Sequence, residues 1–326
     1  MPNPCYFLVS VSNRENLELC MQYGLAGFPS GASGVWTFCE IQDGDFISFL
    51  YGARAHNLYR VVERKAYKDA LNLPPWKPLT FKESKKTYSF PFRLELKLIR
   101  VFEEPLVRAE FSYVAENLLL RGGYRKTHFQ ADQTTLQSVS QMGSPFSDSI
   151  ASLALPPHEI FIPAFARDSK LLRVPEVCRF QETILQTAIR RYLQQEEKLA
   201  SFLGGLKLLT HPTEALEVLG EKALPQGHID LLIKLRTPLG SALKIPIEVK
   251  LNAAQAKDVL QLRDYEQELG GDCPGTILIA AEFNKRTIAK ARSFGMRLVR
   301  YSLNVDFSDL PNFDQICQAL NLEVLP

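Results

Sequence analysis

"GHIDLLIKLRTPLGSALKIPIEVKLNAAQAKDVLQLRDYEQ" (Gly227–Gln267) reads as two apolar strands joined by a turn and followed by a helix. Charges inside such a hairpin are costly unless something pairs them. Yet Asp230 stands in the first strand, and Glu248 and Lys250 stand two residues apart in the second. Strand side chains alternate, so Glu248 and Lys250 share one face while Ile247 and Val249 share the other. With antiparallel pairing across "RTPLGSALK", Asp230 arrives near Glu248. Two carboxylates so placed can hold one Mg²⁺ (or Mn²⁺) through oxygen ligands. Phosphodiester hydrolysis needs a metal to acidify a water and neutralise developing charge, and a cation to orient the nucleophile or the phosphate. Taken alone, Glu248 and Lys250 would also suit an exposed ion pair on an antiparallel edge. His228 reads as a turn or supporting residue rather than a ligand.

The order Asp230, 17 intervening residues, then Glu248-Val249-Lys250 resembles the PD-(D/E)xK nuclease core, whose second strand carries (D/E)-x-K. A preceding helix carries Glu182 in "FQETILQ", where that superfamily often has a further metal-site carboxylate. The following helix carries Gln261 and Tyr265, similar to the Q-x-x-x-Y element of RecB-like nucleases; residues i and i+4 share one helical face. The resemblance implies catalytic roles for Asp230, Glu248, Lys250, Gln261 and Tyr265, with Glu182, Asp230 and Glu248 around the metal. Ile229 departs from the proline common before the first acid, and Gly227 replaces nothing essential.

The beginning of the chain is of another kind. "CYFLVSVSNRENLELCMQYGLAGFP" (5–29) is a strand, then Asn13 and Asn16 opening an amphipathic helix, then Gly24 ending it. Together with "DGDFISFLYGARAHNLYRVVERKAY" (43–67), "PFRLELKLIRVFEEPL" (91–106) and "RGGYRKTHFQADQTTL" (121–136), it resembles the YTH and EVE domains of the PUA-like superfamily. That resemblance implies a β-barrel with an aromatic pocket that receives a modified base turned out of its stack, stacking offsetting the cost of flipping. Trp36 in "SGVWTF" and Trp76 in "PPWKP", both in Gly/Pro-rich stretches that read as polar loops, are the expected pocket walls, with Asn13, Asn16, Tyr51 and Tyr59 as further candidates. Both tryptophans would equally serve as loop anchors in a core. Ala26 stands where the YTH pattern has a tryptophan two residues after the helix-ending glycine. Arg121, Arg125 and Lys126 form a basic loop suited to DNA phosphates.

A chain of 326 residues with 46% hydrophobic content has material for two cores. The net charge of +2 excludes an argument for nucleic-acid binding from bulk charge, which leaves only local patches. Six scattered cysteines without a C-x-x-C pair argue against a zinc knuckle and for buried thiols in a reducing cytoplasm. "CYFLVSV" is too short for a secretory signal, and no run reaches the ~18 apolar residues of a membrane span. The Ser-, Thr- and Pro-rich stretch 131–159 predicts a boundary: domain 1–140, linker 141–172, domain 173–326. "SGASG" (30–34) reads as a turn, and "VCRFQETILQTAIRRYLQQEEKL" (177–199) as one long helix.

The resulting expectation is a two-domain fold: an N-terminal α+β PUA-like barrel and a C-terminal α/β PD-(D/E)xK core. Such a fusion suggests a type IV-like, modification-dependent restriction endonuclease, an Mg²⁺-dependent enzyme that finds methylated adenine or cytosine in double-stranded DNA and cuts nearby, as a homodimer on DNA if both strands are to break. Two alternatives stay open: a structure-specific or mismatch-directed repair endonuclease, and an inactive nuclease-fold binder of modified DNA or RNA.

Overall fold

The computed structural model describes residues 3–52, 54–80, 85–106, 127–224 and 227–326 of the chain. It is an α+β protein with several sheets, and it divides into two units, one of residues 3–131 and 135–179, the other of 132–134 and 180–326.

In the first unit β1 (Tyr6–Ser10) leads into α1 (Arg14–Tyr23). Asn13 caps this helix, its side chain accepting the Asn16 N–H at 2.7 Å, and Gly24 ends it in the left-handed conformation at φ 56°. Next come β2 (Leu25–Phe28), α2 (Ala32–Glu40), β3 (Phe46–Tyr51) and β4 (Arg54–Tyr67), then the short β5 (Leu79–Thr80) and β6 (Thr87–Tyr88), and β7 (Phe92–Val101). After the residues not described come β8 (His128–Ala131), α3 (Gln133–Val139), β9 (Ser144–Pro145), β10 (Ile160–Phe161), β11 (Ala164–Ala166) and β12 (Val177–Arg179). The main sheet runs β2-β7-β4-β3-β1-β8, with β1 and β3 parallel and the other neighbours antiparallel. Among the described residues β2 and β8 end this path, and the sheet is a curled half-barrel where a β-barrel was expected.

Two readings of this region are corrected. "SGASG" is no turn: α2 starts within it, with Gly31 as its N-cap, and Gly34 sits inside the helix because a Cβ there would lie 1.9 Å from the Pro29 carbonyl oxygen. The stretch read as a linker, 141–172, is built into the sheet, β9 pairing β7 and β10 pairing β4. Its small polar residues concealed strands of two residues that have no periodicity to read.

The second unit begins with α4 (Glu182–Leu193) and α5 (Glu196–Gly205), so the single long helix expected is two. Val177–Arg179 before it is strand β12, and Glu196 and Glu197 restart the second helix in its first turn, where acids suit the macrodipole. Then follow β13 (Leu216–Leu224), β14 (Gly227–Leu235), β15 (Lys244–Ala254), α6 (Ala256–Leu269), β16 (Ile277–Phe283), α7 (Lys285–Ser293), β17 (Arg297–Leu303), α8 (Phe313–Ala319) and β18 (Leu320–Val324). The six strands pair in chain order; β15, β16 and β17 are parallel and the outer pairings antiparallel. β15 is therefore a central strand, with Ile245, Ile247 and Val249 all fully buried. The core over one face joins Leu278, Ala280 and Leu298 of the sheet to Val259, Leu262 and Tyr265 of α6 and Ala291 of α7. No helix among the described residues is long and apolar enough to cross a membrane. All six cysteines are free thiols; Cys20, Cys39 and Cys178 are buried and Cys5, Cys273 and Cys317 half-buried.

Candidate active site

The hairpin brings Asp230, Glu248 and Lys250 together in the middle of the second sheet. The β14–β15 ladder ends at Leu231 opposite Ile247. One step further Asp230 would face Glu248. There the Asp230 Oδ2 atom accepts the Val249 N–H at 2.8 Å, a side chain replacing the next ladder bond and fixing the carboxylate against β15.

Glu248 is 1% exposed, on a central strand. That location excludes the exposed edge pair that its spacing with Lys250 would also suit. One of its oxygens, Oε1, lies 2.7 Å from Lys250 Nζ; the other, Oε2, is buried and has no hydrogen-bond partner. An unsatisfied buried acceptor costs on the order of 1–3 kcal/mol, more when charged. Burial pushes the Asp230 carboxyl well above the usual carboxylate range, and the like charge of Glu248 adds to the shift. The Glu248 carboxyl is also raised, by burial first, with Lys250 opposing the rise and Asp258 and Glu182 adding to it. Burial pulls the Lys250 ammonium down, but Glu248, Asp230 and Glu182 together hold it above its ordinary value. Two acids and one ammonium share a poorly solvated place, and the negative charge is not fully answered.

Glu182, the first residue of α4, reaches the same place. Its Oε2 accepts the Leu251 N–H at 2.9 Å and its Oε1 lies 3.6 Å from Lys250 Nζ. The Leu251 amide is open to a side chain because the β15–β16 register shifts between Lys250 and Ala253. Tyr301 of β17 donates its hydroxyl to the Leu251 carbonyl, so the backbone after Lys250 is held from both sides. Tyr301 escaped the sequence reading because nothing within one strand tells which carbonyl a tyrosine two strands away will meet.

Gln261 and Tyr265 are joined as their i, i+4 spacing implied, though they address β14. Gln261 Nε2 donates to the Tyr265 hydroxyl at 2.8 Å, and that hydroxyl donates to the His228 carbonyl at 2.8 Å, two residues before Asp230. Gly227 proves necessary: a Cβ there would lie 2.5 Å from the Tyr265 hydroxyl. A glycine at a strand start beside a buried tyrosine was the available signal.

The candidate pocket of the first unit has a different character. Trp36 lies in α2, not in a loop; it is 8% exposed and its ring packs 4.5 Å from that of His128. Trp76 is 6% exposed, lies against Gly27, where a Cβ would come within 2.4 Å of its ring, and carries the Arg93 guanidinium 5.0 Å from its centroid. The described partners of the two rings are different. Tyr59 is fully buried against Phe49 and accepts from the Asn57 side chain, while Tyr51 is half-buried at the end of β3. Asn13 and Asn16 form the start of α1. Arg121, Arg125 and Lys126 lie outside the described residues.

Among the described residues no group of three or more His, Cys, Asp or Glu side chains is arranged to hold a metal ion. The donor chemistry of the hairpin nevertheless suits a hard divalent cation: a half-buried and a buried carboxylate under mutual repulsion, the buried one with an oxygen that has no hydrogen-bond partner. No protein-family profile matches the chain, and no curated protein does. Among solved structures it is similar to the "EndoMS-dsDNA2 complex", at 20% identity over 32% of this chain and 42% of that chain, less than half its length, with a TM-score of 0.23. A likeness of that size carries no weight beside the residue geometry.

Proposed function

We propose that the second unit is a divalent-metal-dependent endonuclease centre acting on double-stranded DNA. The observation that supports this best is the Glu248 Oε2 atom, buried and unpartnered beside a second carboxylate of raised pKa. Asp230 and Glu248 would hold the cation, and Glu182 stands next to them through Lys250. When bound, such a cation supplies an acidified water and neutralises charge on the phosphate. Lys250 supplies the ammonium of the cluster and would orient a water or a phosphate oxygen beside the two carboxylates. Gln261 and Tyr265 act at one remove, holding the start of β14 so that Asp230 keeps its place.

For the whole chain the reading is a modification-dependent endonuclease, the first unit receiving a methylated adenine or cytosine and the second cutting nearby, as a homodimer if both strands break. The resemblance of residues 5–136 supports it. The burial of both tryptophans favours a second reading, cleavage of duplex DNA whatever its modification. Identical duplexes carrying no modification, N6-methyladenine or 5-methylcytosine, incubated with Mg²⁺, separate the two. Selective cutting supports the first reading and equal cutting the second. Asp230→Ala, Glu248→Gln and Lys250→Ala should each slow cleavage at least about 10²-fold, the usual cost of losing a catalytic charge. Cutting by Glu248→Gln at the wild-type rate would remove the site from the mechanism.

A further inference from the structure

The parallel strands β15 and β16 end together, Ala254 opposite Phe283, and each runs straight into a helix, α6 at Ala256 and α7 at Lys285. A hydrogen bond from the Thr287 hydroxyl to the Ala254 carbonyl at 3.3 Å ties the first turn of α7 to the end of β15. Both helices thus begin at one edge of the sheet, where their first N–H groups and positive dipole ends gather. The side chains there have the wrong sign for that field. Lys285 and Arg286 fill the first two positions of α7, which has no acidic residue in its first turn, and Lys257 fills the second position of α6. All three are exposed, and none has an ion-pair partner among the described residues. The acids nearby do not answer them: Asp258 is buried and caps α6 through the Gln255 N–H, and Glu282 is one exposed carboxylate among three cations. Cations at helix N-termini work against the macrodipole, so this arrangement lowers local stability and gathers positive potential from side chain and backbone alike.

We propose that Lys257, Lys285 and Arg286 form a docking surface for the DNA phosphate backbone beside the cleavage centre; the proposal rests on the nuclease reading above. Ala254 is four positions along β15 from Lys250, with a register shift between Lys250 and Ala253, so the surface begins no more than about 13 Å along the strand from the candidate site, close enough for one duplex to meet both. Its contribution is to register the duplex over the carboxylates, without regard to base sequence.

The test uses the full chain, a 30-base-pair unmodified duplex and no divalent metal, with binding measured over a salt series. Each phosphate contact contributes about −0.9 to the slope of log affinity against log salt. Lys257→Ala/Lys285→Ala/Arg286→Ala should flatten the slope by about 2–3 and weaken binding about 10- to 100-fold near 150 mM salt. Lys285→Gln/Arg286→Gln, which keeps much of the side-chain length, should flatten it by about 2. The melting temperature of both variants should stay unchanged or rise slightly, since the lost charges opposed the helix dipole. Lys198→Ala on α5 removes one exposed charge outside this surface and should leave the slope nearly unmoved. A slope equal to wild type in both variants, or a loss of binding that follows a fall in melting temperature, overturns the docking surface and leaves the nuclease reading standing. A wild-type chain without salt-dependent duplex binding brings down both.

Discussion

The first unit and the hairpin of the second treat buried polar groups in opposite ways. In the first, most are closed into pairs: Asp45 accepts the Cys5 and Gln42 N–H groups at 2.8 Å each, and the Tyr6 hydroxyl donates to Ser48. Asn57 bridges Phe102 N and Tyr59, and buried Arg93 spends its guanidinium on the Phe90, Leu73 and Pro74 carbonyls. Among the described residues His56 Nε2 is the exception there. In the hairpin of the second unit the polar groups are left unequal, with two acids, one lysine, and an oxygen that nothing satisfies. A closed set of polar groups specifies a fold. An open one costs stability, and the unpartnered Glu248 oxygen is the observation behind the proposed metal site. The difference is what supports the proposed metal site in the hairpin, while Trp36, Trp76 and Tyr59 of the first unit are buried side chains.

The largest effect that would break this contrast is at Trp36. As a core ring it should cost about 3–5 kcal/mol on Trp36→Ala, read from a denaturant melt of the first unit's transition. A variant that keeps its stability and loses affinity only for modified DNA would restore the pocket.

Asp230→Asn sharpens the contrast from the other side. A carboxyl whose folded pKa is raised binds its proton more tightly when folded, so the metal-free protein loses stability as pH rises from about 3.8 through the folded value. The uncharged variant should therefore be more stable than wild type at pH 7, by about 1–3 kcal/mol, and the gap should close as pH falls toward 4. A gap that widens on acidification would mean that Asp230 is stabilising as a carboxylate.

Tyr265→Phe leaves the His228 carbonyl and the Gln261 amide without their shared hydroxyl, and should cost about 1 kcal/mol with a fall in kcat and little change in KM. The smallest effect belongs to Asn13. As an N-cap it should lose about 1 kcal/mol or less on replacement by Ala and almost nothing on replacement by Asp, with affinity for modified DNA unchanged.

The hairpin was legible because a period of two puts Glu248 and Lys250 on one face wherever the strand lies, and Asp230 precedes them at a distance that one turn can close. The Gln261–Tyr265 pair was legible as a pair, since helical spacing alone joins them, but its target was not. His228 meets Tyr265 only through the packing of α6 on the sheet. α2 was hidden for a related reason. Gly31 and Gly34 argue against a helix locally, and the Pro29 carbonyl that makes Gly34 necessary is visible only in three dimensions. β13 was missed because its "LEVLGEKAL" pattern is interrupted where Glu221 adopts φ 44°, while its pairing with β14 carries across that irregularity. Local pattern revealed which residues meet across one turn, and failed where distant backbone decides.

The central claim is that the unanswered charge at Asp230 and Glu248 is a place for a divalent cation. Titrating Mn²⁺ into the full chain and into Glu248→Gln, with heat of binding and melting temperature recorded for both, tests it without reference to activity. The account predicts one site in the wild-type chain, a rise in melting temperature with Mn²⁺, and neither in the variant. Equal binding by both proteins, or none by the wild type with or without duplex DNA, would contradict it.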